Sequence, residues 1–467
     1  MNYYELRAEV AKLVPRMINL AGVKGKIELV KEKGRKTNYK EFSLDVQGFQ
    51  DKRRLLNLEE VSSFLEISLR AVACPMPFNM DVWDGIICPY NCAYCYANNF
   101  RASLYTSFFD NSKSMGLRHC NPKYYKKEMD NLFKLRGKDP HSVKGDIQKA
   151  IAKQIPLRMG IRFEDFLKPE KKKGVSLEMM RYLADNDYPL MINTKSDLLG
   201  EDAYLKALSD NEAGTAVHIT MISNDREFTR KIEPGAPTFE ARVESAKRLT
   251  AAGVRVVARI EPYLVFLNDD PDAVREYMDK CWEAGIRHIT FDTYSYSAKN
   301  PGIRKAFLKA GYDFDRLFLL GCDSQGLGSI LLDKFMDLFR EYGFKCSTFD
   351  LGCVPGNNQM VCCEVGDLFQ GSGWNYGCVV SAIRFIKNKD RPVGWVEFEE
   401  YVNKNGGFLS ESLRYAMHQL WNWDGNLSYR VQWGQGIEPI GTDRAGIVWE
   451  YRQHEDFREQ LLKELLS

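Results

Sequence analysis

The chain has 467 residues, 44% of them apolar, with 65 Lys and Arg set against 63 Asp and Glu. That length allows two or three domains around an extensive core, and the balanced charge argues neither for nor against a polyanionic partner. A run of about 18 apolar residues is absent, which excludes a membrane-spanning helix.

Met1-Asn2-Tyr3-Tyr4-Glu5 lacks the basic region and apolar core of a signal peptide, so a cytoplasmic address and no membrane partner are expected. In that setting the twelve cysteines read as metal ligands or reduced thiols rather than as a disulfide framework. Residues 1–75 form a mixed, charged extension without an assignable motif. Its basic residues, Lys24, Lys26, Lys31, Lys33, Arg35, Lys36 and Lys40, read first as a solvated face and second as a nucleic-acid contact. Lys168, Lys171, Lys172 and Lys173 read the same way.

The most informative stretch follows. Asp81 to Ile87 reads as a first strand, and Cys88-Pro89-Tyr90-Asn91-Cys92-Ala93-Tyr94-Cys95 comes directly after it. Three thiolates with C-x3-C-x2-C spacing suit a [4Fe–4S] cluster whose fourth iron stays open to a ligand from outside the protein. A structural zinc site would want four ligands, commonly in two separated pairs, and a lone triplet lacks the fourth.

From about residue 80 to 300, strand-like runs alternate with amphipathic helical ones. After the first strand come Ile155–Ile161, Pro189–Thr194, Ala216–Met221, Val254–Ile260 and Arg287–Asp292. Helices are expected over Leu177–Asn186, Phe239–Ala252 and Asp272–Ala284, the last two stopped by Gly253 and Gly285 in left-handed caps. Six such units make an α/β partial (β/α)6 barrel over 76–300, with 1–75 as an N-terminal extension and 301–467 as a Cys- and Trp-rich C-terminal region. Parallel barrels carry their active sites at the C-terminal ends of their strands, where the cysteine loop would sit.

The cysteine loop resembles that of the radical SAM superfamily, in which S-adenosylmethionine binds the open iron and is cleaved reductively. Asn193-Thr194-Lys195-Ser196-Asp197, Glu233-Pro234-Gly235-Ala236-Pro237 with Arg242 after it, and Asn268-Asp269 are similar to motifs of the spore photoproduct lyase-like branch. The resemblance implies a [4Fe–4S] cluster on Cys88, Cys92 and Cys95, S-adenosylmethionine as cofactor, and an electron donor such as flavodoxin or ferredoxin. It implies SAM contacts from Tyr94, Tyr96, Lys195, Ser196 and Ser223, with Tyr96 also placed for hydrogen transfer. Lyases of this branch carry a hydrogen-donating cysteine after the second strand, whereas this chain reads Gly160-Ile161-Arg162-Phe163-Glu164-Asp165. The resemblance therefore implies a relative with a different radical reaction, of lyase or transferase type, and Glu164 and Asp165 occupy the place of a substrate-specific catalytic group.

Arg259 and Glu261 alternate with apolar residues on the fifth strand, which fits either a buried ion pair or a contact to SAM or substrate. His218, within the fourth strand, reads as a core histidine. Half of the cysteines lie after residue 300. Of these, Cys346, Cys353, Cys362 and Cys363 suit either an auxiliary iron–sulfur cluster or small buried thiols. Six tryptophans fall in the same region and read as core, with Trp421-Asn422-Trp423 the expected exception if its two rings share a strand face. The substrate class is a nucleic acid, by resemblance and basic patches, with a peptide or small metabolite as the rival and a non-enzymatic iron–sulfur sensor as the third reading.

Overall fold

The structure is a computed structural model that describes residues 1–14, 59–61, 66–69, 78–85, 88–95, 117–294, 301–320, 322, 327–348, 377–405, 407–422 and 437–451. In chain order the strands are β1 (Glu59–Val61), β2 (Glu66–Leu69), β3 (Phe78–Asp81), β4 (Trp83–Asp84), β5 (Arg118–Cys120), β6 (Leu157–Met159) and β7 (Leu190–Thr194). They continue as β8 (Thr215–Thr220), β9 (Arg255–Tyr263), β10 (His288–Thr293), β11 (Lys345–Thr348), β12 (Ile437–Asp443) and β13 (Gly446–Tyr451).

Eight of these strands form one open sheet in the order β11-β10-β9-β8-β7-β6-β3-β2. All neighbours are parallel except β2 and β3, so seven strands run in one direction and the edge strand opposes them. The sheet is a partial barrel left open between its edges. Helices Val175–Asp185, Phe239–Ala251 and Pro271–Glu283 begin and end within two residues of the expected positions. Gly253 and Gly285 adopt φ of 80° and 81° after the last two, the left-handed turn that returns each helix to the next strand.

Two expectations are corrected. The first barrel strand is Phe78–Asp81, not Asp81–Ile87; the chain leaves the sheet at Val82, and Trp83–Asp84 pairs with β5 in a separate three-stranded sheet. Asp165 holds the departing chain: its Oδ1 accepts the N–H groups of Val82 and Trp83, donors that a continuing strand would have offered to its two neighbours, β6 and β2. The second correction concerns the far edge, where a seventh parallel strand, β11, pairs with β10. Cys346 lies on it, and a four-residue strand within a cysteine-rich context carries too short an alternation to stand out.

The two faces of the sheet differ. Met80, Met159, Ile192, Val217, Val256, Ile289 and Phe291 join one apolar cluster with the helices. The residues that alternate with them are largely polar, and this polar inner face is also buried. Among the described residues no helix is long and apolar enough to cross a membrane.

Candidate active site at the cysteine loop

Cys88 and Cys95 are half-buried, Cys92 is buried, and none is in a disulfide. The loop is a pair of tight turns in which the Asn91 N–H donates to the Cys88 carbonyl at 2.9 Å and the Cys95 N–H to the Cys92 carbonyl at 3.1 Å. Asn91 takes φ of 46°, a left-handed conformation that asparagine tolerates better than most residues. Three unbridged thiols on one turn form a donor set that suits three irons of a four-iron cluster. Among the described residues, no group of three or more His, Cys, Asp or Glu is drawn together tightly enough to hold a single metal ion.

The Glu-Pro-Gly-Ala-Pro segment forms the seat of this loop. The Gly235 N–H donates to the Tyr90 carbonyl and the Ala93 N–H to the Ile232 carbonyl, so the two segments are laced together by backbone. A Cβ on Gly235 would stand 2.2 Å from the Pro89 carbonyl oxygen and 2.7 Å from the Tyr90 Cα, so only glycine allows this approach. Glu233 organises the side chains. Its Oε2 accepts from Arg242 at 2.6 Å within a fully buried ion pair, and its Oε1 accepts from the Tyr94 hydroxyl. The other two nitrogens of Arg242 donate to the Thr220 and Pro237 carbonyls. The segment with its following arginine is thus one ion-paired unit, a pairing that linear spacing of nine residues does not reveal.

Lys195 stands beside the loop with Nζ 5.4 Å from the centre of the Tyr94 ring. Burial works to lower its pKa, but Cys92, Glu233, Cys95 and Glu164 outweigh burial and hold it above the ordinary value. Burial pushes the Cys92 thiol up, with Lys195 opposing. Tyr94 is therefore committed to Glu233 through its hydroxyl and to Lys195 through its ring. Tyr96 lies outside the described residues.

Glu164 and Asp165 are both buried and both hold backbone. Glu164 accepts from the Thr194 hydroxyl at 2.7 Å and from the Lys195 and Phe166 N–H groups at 2.8 and 3.1 Å, which fixes the turn that presents Lys195. Burial raises its pKa while these donors pull it down. Asp165 adds the Gly160 N–H to those of Val82 and Trp83. Its pKa is pushed well up by burial and by Asp81. Ser196 accepts the Leu198 N–H at 3.2 Å and starts a short helical turn, and Ser223 accepts the Asp225 N–H at 3.1 Å. Arg259 and Glu261 form an ion pair on the inner face, with Thr290 donating to Glu261 at 3.2 Å.

Two inner-face pairs escape a reading by motif: Asn79, which accepts from Arg158 Nε at 2.8 Å, and His288, bonded to Ser347 at 2.7 Å. The signal was available in the alternation of polar and apolar residues along each strand, but a buried polar face runs against the expectation for parallel sheets. Cys346 points away from it, packed among helix residues with its thiol 3.7 Å from the Met336 carbonyl oxygen. Cys353, Cys362 and Cys363 lie outside the described residues. Trp421 corrects one expectation: it ends helix Glu411–Trp421, fully buried, and its indole donates to the Ile447 carbonyl, so it shares no strand face. Trp395 and Trp449 are buried as well.

No family model matches the chain. Uncharacterized proteins of Mycobacterium bovis and Mycobacterium tuberculosis are 22% identical to it over 220 residues, which is 47% of this chain and 59% of each relative. The match thus spans less than two thirds of those relatives. Among solved structures, the chain is similar to spore photoproduct lyase complexed with dinucleoside spore photoproduct (TM-score 0.43, 15% identity, 62% of this chain and 81% of that one). It is also similar to Streptococcus suis SuiB bound to S-adenosylmethionine (TM-score 0.36, 12% identity, 59% of this chain and 51% of that one).

Proposed function

We propose that this chain is a radical SAM enzyme, an open-barrel protein that holds a [4Fe–4S] cluster on Cys88, Cys92 and Cys95 and binds S-adenosylmethionine beside Lys195. The observation that carries this reading is the seating of the cysteine loop. Glu233, Gly235 and Arg242 clamp it from one side, and Lys195 presents a cation to the same space from the end of β7. The cluster, when bound, supplies the electron for reductive cleavage of SAM.

The chain's own part is to bind, orient and exclude water. Lys195 offers a cation to the carboxylate of the cofactor's methionine portion. Ser196 and Ser223, at the ends of β7 and β8, are the hydroxyls assigned to the same ligand. Tyr94 is a positioning residue that braces the loop through Glu233, and Tyr96 keeps its assignment to hydrogen transfer. Glu164 and Asp165 are positioning residues rather than groups in contact with substrate, because their oxygens are engaged by backbone donors. Arg259 and Glu261 face inward, where an ion pair can exchange partners with a ligand. A cytoplasmic setting with flavodoxin or ferredoxin as reductant fits this chemistry.

The substrate assigned first is a nucleic acid or nucleotide, and a peptide or small metabolite is the second. Binding that persists between about 50 and 200 mM salt favours the second, since phosphate contacts weaken steeply over that range. The central claim is tested by replacing Cys88, Cys92 and Cys95 together with alanine. Formation of 5′-deoxyadenosine after anaerobic reconstitution should vanish, and its persistence would overturn the assignment.

A further inference from the structure

The inner face of the sheet carries polar side chains that the cysteine loop does not use. Asn193 on β7 and His218 on β8 are direct partners in the strand register. They are only 6% and 1% exposed, and among the described residues neither Asn193 Oδ1 nor His218 Nε2 has a hydrogen-bond partner. A buried polar atom left unpaired costs about 1–3 kcal/mol. Two of them side by side on adjacent strands mark a place where something else supplies the bonds.

The surroundings say what that is. Register and alternation put Arg158, Arg259 and His288 on the same face as His218. Burial, followed by Arg259, His288 and Arg158, holds the His218 imidazole well below its ordinary pKa. The groups that act on it are therefore bases, with Arg259 itself paired to Glu261 on the same face. The ring stays neutral, keeps one N–H to donate, and sits in a positive field. Turning over the Asn193 amide presents its NH2 group to the same point. Asn193 lies two residues before Lys195 on the same strand line, roughly 6–7 Å deeper into the sheet. A ligand held there would reach up toward the cysteine loop.

We propose that this part of the inner face binds an anionic group of the substrate, a carboxylate or a phosphate, with His218 and Asn193 donating hydrogen bonds and Arg158 and Arg259 supplying the field. The proposal deepens the radical SAM reading and rests on it for one point, that the ligand is the substrate. Phosphate would come with a nucleotide and carboxylate with a peptide or metabolite.

The test is histidine-selective 15N NMR on the full, anaerobically reconstituted chain, with the His218 signal identified among the six histidines by its loss in His218→Gln. Inorganic phosphate, acetate and neutral acetamide are titrated separately at constant ionic strength. A saturable shift with phosphate in excess of acetate supports the proposal with phosphate as the source, and the reverse order supports it with carboxylate. Asn193→Asp, confirmed as folded by circular dichroism, sets a negative charge in the site and should weaken the bound anion by about tenfold or more, equivalent to roughly 1.4 kcal/mol. That variant, followed by calorimetry, keeps the test standing if His218→Gln does not fold. The proposal is overturned by no saturable response to either anion, by an equal response to acetamide, or by unchanged anion affinity in Asn193→Asp. The titration uses neither SAM nor reductant, so failure of the anion site and failure of SAM cleavage are seen separately.

Discussion

At the scale of single residues, the site depends on a half-buried lysine and a buried ion pair. Lys195 is half-buried, and the cysteine and glutamate side chains around it favour its charged form against the cost of desolvation. If it also pairs with the carboxylate of SAM, Lys195→Ala should weaken SAM binding by about 1.5–3 kcal/mol, the range for a hydrogen bond to a charged group, or roughly 10- to 150-fold in Kd. Equilibrium dialysis with labelled SAM checks this, and an unchanged Kd removes Lys195 from the site. Glu233 and Arg242 expose 1% and 3% of their side chains, so removing one partner strands the other in a medium that cannot solvate it. Glu233→Ala should lower the stability of the chain by about 3–5 kcal/mol in urea unfolding. Replacing both with apolar residues should restore part of that loss, an outcome expected only if the penalty comes from the stranded charge.

At the scale of elements, the cysteine loop and the segment around Gly235 behave as one piece. Their backbone bonds and the 2.2 Å approach of a Cβ to Pro89 leave no room for relaxation by a flexible side chain. Gly235→Ala should therefore displace the loop and lower the iron retained after reconstitution, while the far-ultraviolet circular dichroism of the barrel is kept. Strand β11 makes a different prediction. The Cys346 thiol sits half-buried on the helix side of the sheet, near the Met336 and Phe344 carbonyls, away from the polar inner face. Cys346→Ala should leave the iron content unchanged at about four per chain, the number for one cube. A wild-type content near eight that falls by about four in this variant would assign Cys346 to a second cluster.

At the scale of the whole molecule, the first helix is tied to the C-terminal end of the barrel. Asp269 is fully buried; it receives Arg7 through two bonds of 3.0 Å, the Phe266 N–H and the Tyr3 hydroxyl, and Tyr3 also bonds to Tyr263. Asn268 beside it accepts the Leu264 N–H and donates to the Ile222 and Pro262 carbonyls, joining the loops after β8 and β9. Helix Tyr3–Leu13 packs in turn against helix Leu327–Tyr342, with Tyr3 and Tyr263 both against Phe335. Asp269→Ala should cost about 3 kcal/mol, at the low end for a buried pair because Arg7 keeps some contact with water. Hydrogen exchange should show the first helix losing protection ahead of the barrel strands, and uniform loss would mean that the helix is not a separate unit.

Much of this was determined by the sequence alone, because it rests on local rules. Helix Phe239–Ala251 has Thr238 at its start and Gly253 after its end, and strands β6 to β10 follow the spacing of repeated βα units. The C-x3-C-x2-C spacing of Cys88, Cys92 and Cys95, on which the proposed cluster rests, is likewise legible without a fold. Tertiary structure decided what depends on which distant groups meet. Asp165 holds the chain leaving β3 from more than eighty residues away, and Glu233 joins Tyr94 to Arg242 across the barrel mouth. Asn193 and His218 become neighbours only through strand register. A carboxylate in a sequence is equally a catalyst, a cap or half of an ion pair, and only the donors that folding brings to it choose among them.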